Sequence, residues 1–380
     1  MRISVIDVGS NTVRLAVADV RDGAPLPVHT AKRRLRLSEQ VDGDRRLGPR
    51  AVERVVEAVG EACAQAERWG SDEPFAFATA IVRDAPNRAE VLRAVAEGTG
   101  VRLRVLPGEV EAELTFLAAR RWMGWRAGPL GVLDIGGGSL EVAFGRGRLP
   151  DFAVSLPLGA RRLTREHLAD SLEGRPTDDA LKALRRHVRH QLRDVAARIR
   201  WEGPITAAAT SRTFTQLARL CGAPPGRHGP FVARTLRRGA LRAAVAELAA
   251  LEPERRAELP GISAPRAHQS LAGALVGHTA MKLMGIRELT ICPWAIREGI
   301  LLRRIEGDTE WWSGPQTPLS HQPHLPHQPH LSHHPSAQPP LPRRATSLTL
   351  GTAGVPVGAA DGGRDMRHDR PDFVVGSART

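Results

Sequence analysis

The chain has 380 residues, long enough for two hydrophobic cores with some segment left over as linker or tail. Its 42% hydrophobic and 25% charged residues are globular averages, and no apolar run approaches the roughly 20 residues that would span a bilayer. Cys63, Cys221 and Cys292 lie too far apart for a zinc knuckle and leave one over from any pairing, while a formal charge of +13, carried almost wholly by arginine, points to polyanionic partners.

The predicted elements begin with a strand at Ile3–Asp7, whose apolar residues stop far short of a secretory leader, so a cytoplasmic protein without a membrane partner is expected. A strand at Val13–Val20 follows, then a helix over Pro49–Trp69 opened by proline, a strand at Phe75–Thr79, a helix at Arg88–Glu97, a strand at Arg102–Leu106 and a helix over Glu109–Trp122. The punctuation MGWRAGP closes a first domain, 1–126. The second, 127–306, has strands at Leu130–Asp134, Leu140–Phe144, Ile205–Ala208 and Leu289–Ile291. Its helices are predicted at Thr177–Ile199, Thr210–Leu220, Leu236–Ala249, Ala264–Met284 and Trp294–Ile305. Interleaved strands and helices make an α/β protein. Residues 307–380 form a proline- and histidine-rich tail, whose stretch from Gln316 to Pro342 has no helical or strand period and reads as extended and disordered, its histidines incidental.

Residues 6–17, IDVGSNTVRLAV, are echoed by 133–144, LDIGGGSLEVAF, with Asp7 falling on Asp134 and Gly9 on Gly136. Each copy reads as strand, small-residue turn, strand, which implies two similar halves with a cleft between them. In the second turn Gly136, Gly137, Gly138 and Ser139 let the backbone approach a ligand with its N–H groups outward, a geometry that cradles phosphate; Ser10, Asn11 and Thr12 supply hydroxyl and amide donors in the first. Carboxylates beside phosphate imply a cation between them, so Asp134 and Asp7, with Glu141 as a third candidate, would hold Mg²⁺. Glu109, Glu111 and Glu113 open a helix, and spacing alone does not choose a base among them.

In order along the chain stand DVGSNTVRL, ATAIVRDAPN, GEVEAELTFL, LDIGGGSLEV, SLPLGARRLT, AGALV and WAIREGILL. Together they resemble the exopolyphosphatase and guanosine pentaphosphate phosphatase (Ppx/GppA) family, of the actin-like, ribonuclease-H-like superfamily, from about Ile3 to Ile305. The resemblance implies a two-domain actin-like fold and hydrolysis of the terminal phosphate of inorganic polyphosphate or guanosine pentaphosphate with Mg²⁺. It carries the catalytic base onto Glu111, a magnesium ligand onto Asp134, phosphate-binding turns onto Ser10–Thr12 and Gly136–Ser139, and a phosphate-neutralising arginine onto Arg83. The family often forms dimers, although no apolar stripe here marks a homodimer. Arg297 and Glu298 are read as helix and domain-closing residues.

Three departures stand out. Val110 occupies the place of a family glutamate, Arg36-Leu37-Ser38 replaces a family R-L-G turn, and Ala207, Ala208 and Ala209 lie where the family often has a glycine-rich loop. Cβ atoms there are expected to crowd a nucleotide, with Ser211, Arg212 and Thr213 left to contact phosphate from a helix start. The alternatives are a polyphosphate or alarmone sensor of the same fold with weakened catalysis, and an actin-like kinase. A specific nucleic-acid binder ranks last, because aromatics are only 4% and no recognition motif accompanies the arginines.

Overall fold

The computed structural model describes residues 1–307 apart from 38–39, 41–43, 72 and 170–173. The tail expected from 307 onward, with its histidines and Trp311 and Trp312, lies outside the described residues from 308. None of the described helices is long and apolar enough to cross a membrane.

The first sheet starts with β1 (Arg2–Val8) and β2 (Thr12–Arg21), an antiparallel hairpin that sets Asp7 opposite Arg14. β3 (Ala24–Arg34) pairs along β2 and was not predicted. Its Pro25 and Pro27 argue against a strand, yet β3 is an edge, where a missing N–H costs nothing. Next come α1 (Pro49–Arg68), β4 (Phe75–Ala78), the short α2 (Ala80–Arg83), α3 (Arg88–Thr99) and β5 (Arg104–Val105). The strand order is β3-β2-β1-β4-β5, with β4 parallel to β1. Helix α1 buries Val52, Val55, Val59, Ala62 and Ala66, a helical-period stripe, against the sheet residues Ile6, Val8, Leu15 and Val17.

After α4 (Gly108–Met123) the pattern repeats. β6 (Leu130–Ile135) and β7 (Leu140–Gly145) make the second hairpin, in which Asp134 lies opposite Glu141, and β8 (Phe152–Leu156) is its outer edge. Then follow α5 (Ala160–His167), α6 (Asp178–Trp201), β9 (Thr206–Ala209), α7 (Ser211–Leu220) and β10 (Thr235–Arg237). The chain continues through α8 (Arg238–Ala250), α9 (Pro253–Arg256), α10 (Ala267–Leu283), β11 (Glu288–Ile291) and α11 (Ile296–Ile305). The sheet runs β10-β11-β9-β6-β7-β8. Read from the β8 edge it repeats the order of the first, with β10 added, which is the duplicated actin-like, ribonuclease-H-like fold.

Helix α4 lies between the lobes, and α11 packs on it and on the first sheet. Leu114 of α4 packs with Ile3, Val5 and Phe77 of the first sheet, while Ala112, Phe116 and Ala119 pack on Leu130, Val132 and Ala143 of the second. A helix apolar on both faces is therefore held from both sides, and each large side chain so buried is worth roughly 1.5–3 kcal/mol. Helix α11 lies against α4 so closely that a Cβ on Gly299 would stand 2.1 Å from the Leu114 carbonyl oxygen. This packing sets the N-terminal turn of α4, with Glu111, at the mouth of both hairpins.

Candidate active site

In each hairpin the first glycine closes the turn on the residue three positions later: Gly9 donates its N–H to Thr12 O at 3.0 Å, and Gly136 to Ser139 O at 2.9 Å. The second turn is backed by α5, whose Ala160 and Arg161 amides donate to Gly136 O and Gly137 O at 3.0 and 3.1 Å. The two turns face one another. A Cβ on Gly137 would lie 3.2 Å from Ser10 Oγ, one on Gly138 would lie 3.0 Å from Ala80 Cβ, and Arg161 donates across the gap to Asn11 Oδ1 at 3.0 Å. Ser10, Asn11, Thr12 and Gly136 to Ser139 all line one cleft of about 800 Å³.

Asp7, Asp134, Glu111 and Glu141 line the same cleft. Register explains two of these positions: Asp134, Glu141 and Ser155 are direct neighbours across β6, β7 and β8, so their side chains share a face, and Ser155 Oγ donates to Glu141 Oε1 at 2.9 Å. Thr210, at the start of α7, donates to Asp134 Oδ2. Burial pushes the Asp134 carboxyl up to about 6, against the opposing effects of the Thr210 hydrogen bond and Arg266. Burial also raises Asp7, with Arg297 and Arg14 opposing. Glu111 and Glu141 are raised by burial, and Glu141 raises Glu111 further. Four carboxyls, Glu111 and Glu141 buried and Asp7 and Asp134 half-buried, are held above their ordinary range and form a site that a bound cation would relieve, and their oxygen ligands suit a hard ion such as Mg²⁺. Among the described residues no three acidic, histidine or cysteine side chains converge as a ready-made metal cage.

Several expected residues stand elsewhere than the sequence suggested. Arg83 does not line the cleft: its guanidinium donates to Glu111 Oε1, to Leu106 O at 3.2 Å and to Asp84 Oδ1 at 3.4 Å. It holds the glutamate that does line the cleft, donating from the end of α2 to the first turn of α4. Val110 turns into the core with Ile3 and Val5, so the family glutamate it replaces is no loss to the cleft wall; the carboxylate beside Glu111 is Glu141, from β7. Ala207, Ala208 and Ala209 are not a loop against a ligand but strand β9, buried between β6 and β11, and the expected crowding disappears. Thr213 is on the buried face of α7, whereas Ser211 and Arg212 line the cleft. Arg297 also lines it, 3.9 Å from Asp7, while Glu298 accepts from the Ala295 amide and caps α11. Arg36 lines the cleft too, and Ser38 of the same turn lies outside the described residues.

The sequence reading missed most of the positive wall. Eleven basic side chains face the cleft against five acidic ones. Arg161, Arg162 and Arg165 come from α5, an unpredicted helix with few apolar residues. Arg14 and Lys32 come from β2 and β3, and Arg266 from the turn before α10. The net charge of +13 was the one available signal, and it carries no address.

A profile of the Ppx/GppA phosphatase family matches residues 16–307. Exopolyphosphatase 1 of Mycobacterium tuberculosis is 46% identical over 312 residues, covering 82% of this chain and 90% of that protein. An uncharacterized protein of Streptomyces coelicolor is 68% identical over 313 residues, covering 82% and 93%. The crystal structure of the Aquifex aeolicus Ppx/GppA family member superposes with a TM-score of 0.70 at 25% identity, over 81% of this chain and 99% of that one.

Proposed function

The chain belongs to the Ppx/GppA phosphatase family, and from that premise we propose that it is an Mg²⁺-dependent exopolyphosphatase, with guanosine pentaphosphate as a second substrate bearing the same terminal anhydride. The observation that carries this reading is the convergence, in one arginine-rich cleft, of two facing phosphate turns and the buried carboxylate Glu111 at the start of α4.

The turns and the basic wall would hold the terminal phosphoryl group by its equatorial oxygens, where charge accumulates in the transition state. Asp7 and Asp134 would hold Mg²⁺ from the two lobes, and the ion would supply charge neutralisation to the phosphate oxygens. Arg83 engages Glu111 Oε1, so Oε2 would be the oxygen that accepts from an attacking water. As the water oxygen bonds to phosphorus, its proton passes to Glu111 and the bond from phosphorus to the bridging oxygen breaks. The shortened chain leaves with that oxygen as an anion and orthophosphate is released. Glu111 must be ionised to act as base; Arg83 favours that form against burial and the nearby Glu141.

The test is phosphate release from inorganic polyphosphate by the purified full chain, with and without MgCl₂. Glu111→Gln is expected to lower turnover by about 10²–10⁴-fold with substrate binding kept. Near-normal turnover in that variant removes Glu111 from the chemistry, and polyphosphate binding without hydrolysis by the wild type would make the protein a sensor.

A further inference from the structure

The solvent side of α6 is a row of cations. Its 24 residues carry seven lysines and arginines against three aspartates. Leu184, Val188 and Leu192 belong to its buried face, while Lys182, Arg186, Arg189, Arg193 and Arg200 recur at helical spacing on the exposed side and form one stripe about 27 Å long. Asp179 pairs with Lys182 and Asp194 with Arg193, both at 3.1 Å and both far out in solvent, where such pairs neutralise little. Among the described residues, Arg186, Arg189 and Arg200 have no carboxylate within ion-pair distance.

This stripe is remote from the cleft. Helix α6 packs on the face of the second sheet formed by Leu133, Ile135 and Val142, whereas α4 covers the other face, formed by Leu130, Val132 and Ala143. The exposed side of α6 is therefore turned away from the first lobe, and none of its residues lines the cleft. Its last residue, Trp201, is 84% exposed. The turn between β7 and β8 is tied to this end of the helix by Arg146, which bonds Glu202 at 2.7 Å, and by Arg198, which lies 5.7 Å over the Phe152 ring. That turn bears Leu149, 39% exposed, and Arg148. Water offers the indole and the leucine nothing. A lipid interface takes a tryptophan ring at headgroup level, an aliphatic side chain beneath it and arginine heads on acidic phosphate. A nucleobase can stack on the tryptophan but has no use for the leucine, so the combination favours lipid over nucleic acid.

We propose that the α6 stripe and the Trp201 end form a peripheral contact surface for membranes rich in anionic phospholipid. Arg186, Arg189 and Arg200 would meet lipid phosphate, and Trp201 with Leu149 would enter the headgroup boundary. No described helix crosses a membrane, and a contact of this kind needs none. The cleft, on the side of the first lobe, would stay open to its substrate while the protein is bound. Such binding is independent of what the cleft hydrolyses.

Co-sedimentation of the full chain with vesicles of phosphatidylcholine alone, or mixed with phosphatidylglycerol, tests the surface. Binding is expected only to the mixed vesicles and should weaken as salt rises. The triple variant Arg186→Gln, Arg189→Gln, Arg200→Gln should partition about 10²-fold more weakly, at about five-fold per charge, and Trp201→Ala about ten-fold more weakly. Phosphate release and melting temperature should stay at wild-type values in both, since all four side chains are exposed and lie outside the cleft. Arg266→Ala, in the cleft, should bind vesicles like wild type. The surface is overturned if wild type does not pellet with anionic vesicles, if the triple variant or Trp201→Ala pellets as well as wild type, or if Arg266→Ala loses as much binding as the triple variant. Capture of a single-stranded RNA through the same three arginines, without vesicle binding, overturns the lipid assignment in favour of nucleic acid.

Discussion

Gly159→Ala tests whether the second phosphate turn is built as described. Gly159 has φ −69° and ψ 143°, a conformation open to any residue, so the backbone alone does not require glycine there. Space does: a Cβ would stand 2.2 Å from Gly138 C, 2.3 Å from Ser139 N and 2.4 Å from Gly138 N. These are backbone atoms of the phosphate turn and cannot swing away like a side-chain tip, so either the turn or the start of α5 must shift by about 1 Å to restore normal contact. Overpacking of this kind costs about 1–3 kcal/mol. At roughly 2–4 °C per kcal/mol the melting temperature should fall by about 2–12 °C. The same shift misplaces the turn amides, and a displacement of about 1 Å can cost about 10²-fold in turnover. Thermal unfolding and phosphate-release rates measure the two effects. Gly239→Ala on α8 is the control of opposite sign, because its Cβ meets nothing within 4 Å; it should stabilise by about 0.5–1 kcal/mol and leave activity alone. A Gly159→Ala protein with wild-type melting and turnover would refute the packing of α5 against the turn.

Further outcomes concern the charged groups. Arg83→Met removes the cation that favours ionised Glu111, so the acidic limb of the kcat profile should move to higher pH while KM for polyphosphate changes little; an unmoved limb would place Arg83 outside the site. For metal-free protein, Asp134 is raised from 3.8 to about 6, so the folded state holds the proton more tightly than the unfolded state. Its contribution to stability is complete below pH 3.8 and is lost as pH rises to about 6, about 3 kcal/mol in all, to order of magnitude. Asp134→Asn should therefore melt with wild type near pH 4 and above it at pH 7 in chelator; equal melting at both pH values would contradict the burial. Gly299→Ala, with its Cβ on the Leu114 carbonyl, should destabilise by about 1–3 kcal/mol through the α4–α11 contact, and wild-type melting would refute that contact.

A layer that serves both lobes explains how one short helix can organise the site. Because α4 is apolar toward both sheets, its first turn is fixed relative to both hairpins at once, and Glu111 is placed by packing that involves neither Asp7 nor Asp134. The bracing contact from Arg83 adds direction to a side chain that is 8% exposed.

The sequence alone determined what is local. Two strand-turn-strand echoes identified both hairpins with Asp7, Asp134 and their turns, because a tight turn between apolar runs is written in adjacent residues. Period and proline placed α1, α4, α6 and α10, and the ordered motifs pointed to the family and to Glu111. Edge strands escaped: β3 carries two prolines that an unpaired edge tolerates, and β8 is a short outer strand recognisable only by its partner β7. Helix α5 escaped as well, being held more by the Gly136–Gly137 carbonyls than by an apolar stripe of its own. Tertiary structure alone decided which arginines line the cleft. Arg14, Lys32, Arg212 and Arg266 share one cleft only when segments far apart in the chain fold together, whereas Arg83, which sits in a family motif, reaches it through Glu111. Charge counts add along a chain without regard to position, but an electrostatic site depends on distance and desolvation, which the packed lobes fix.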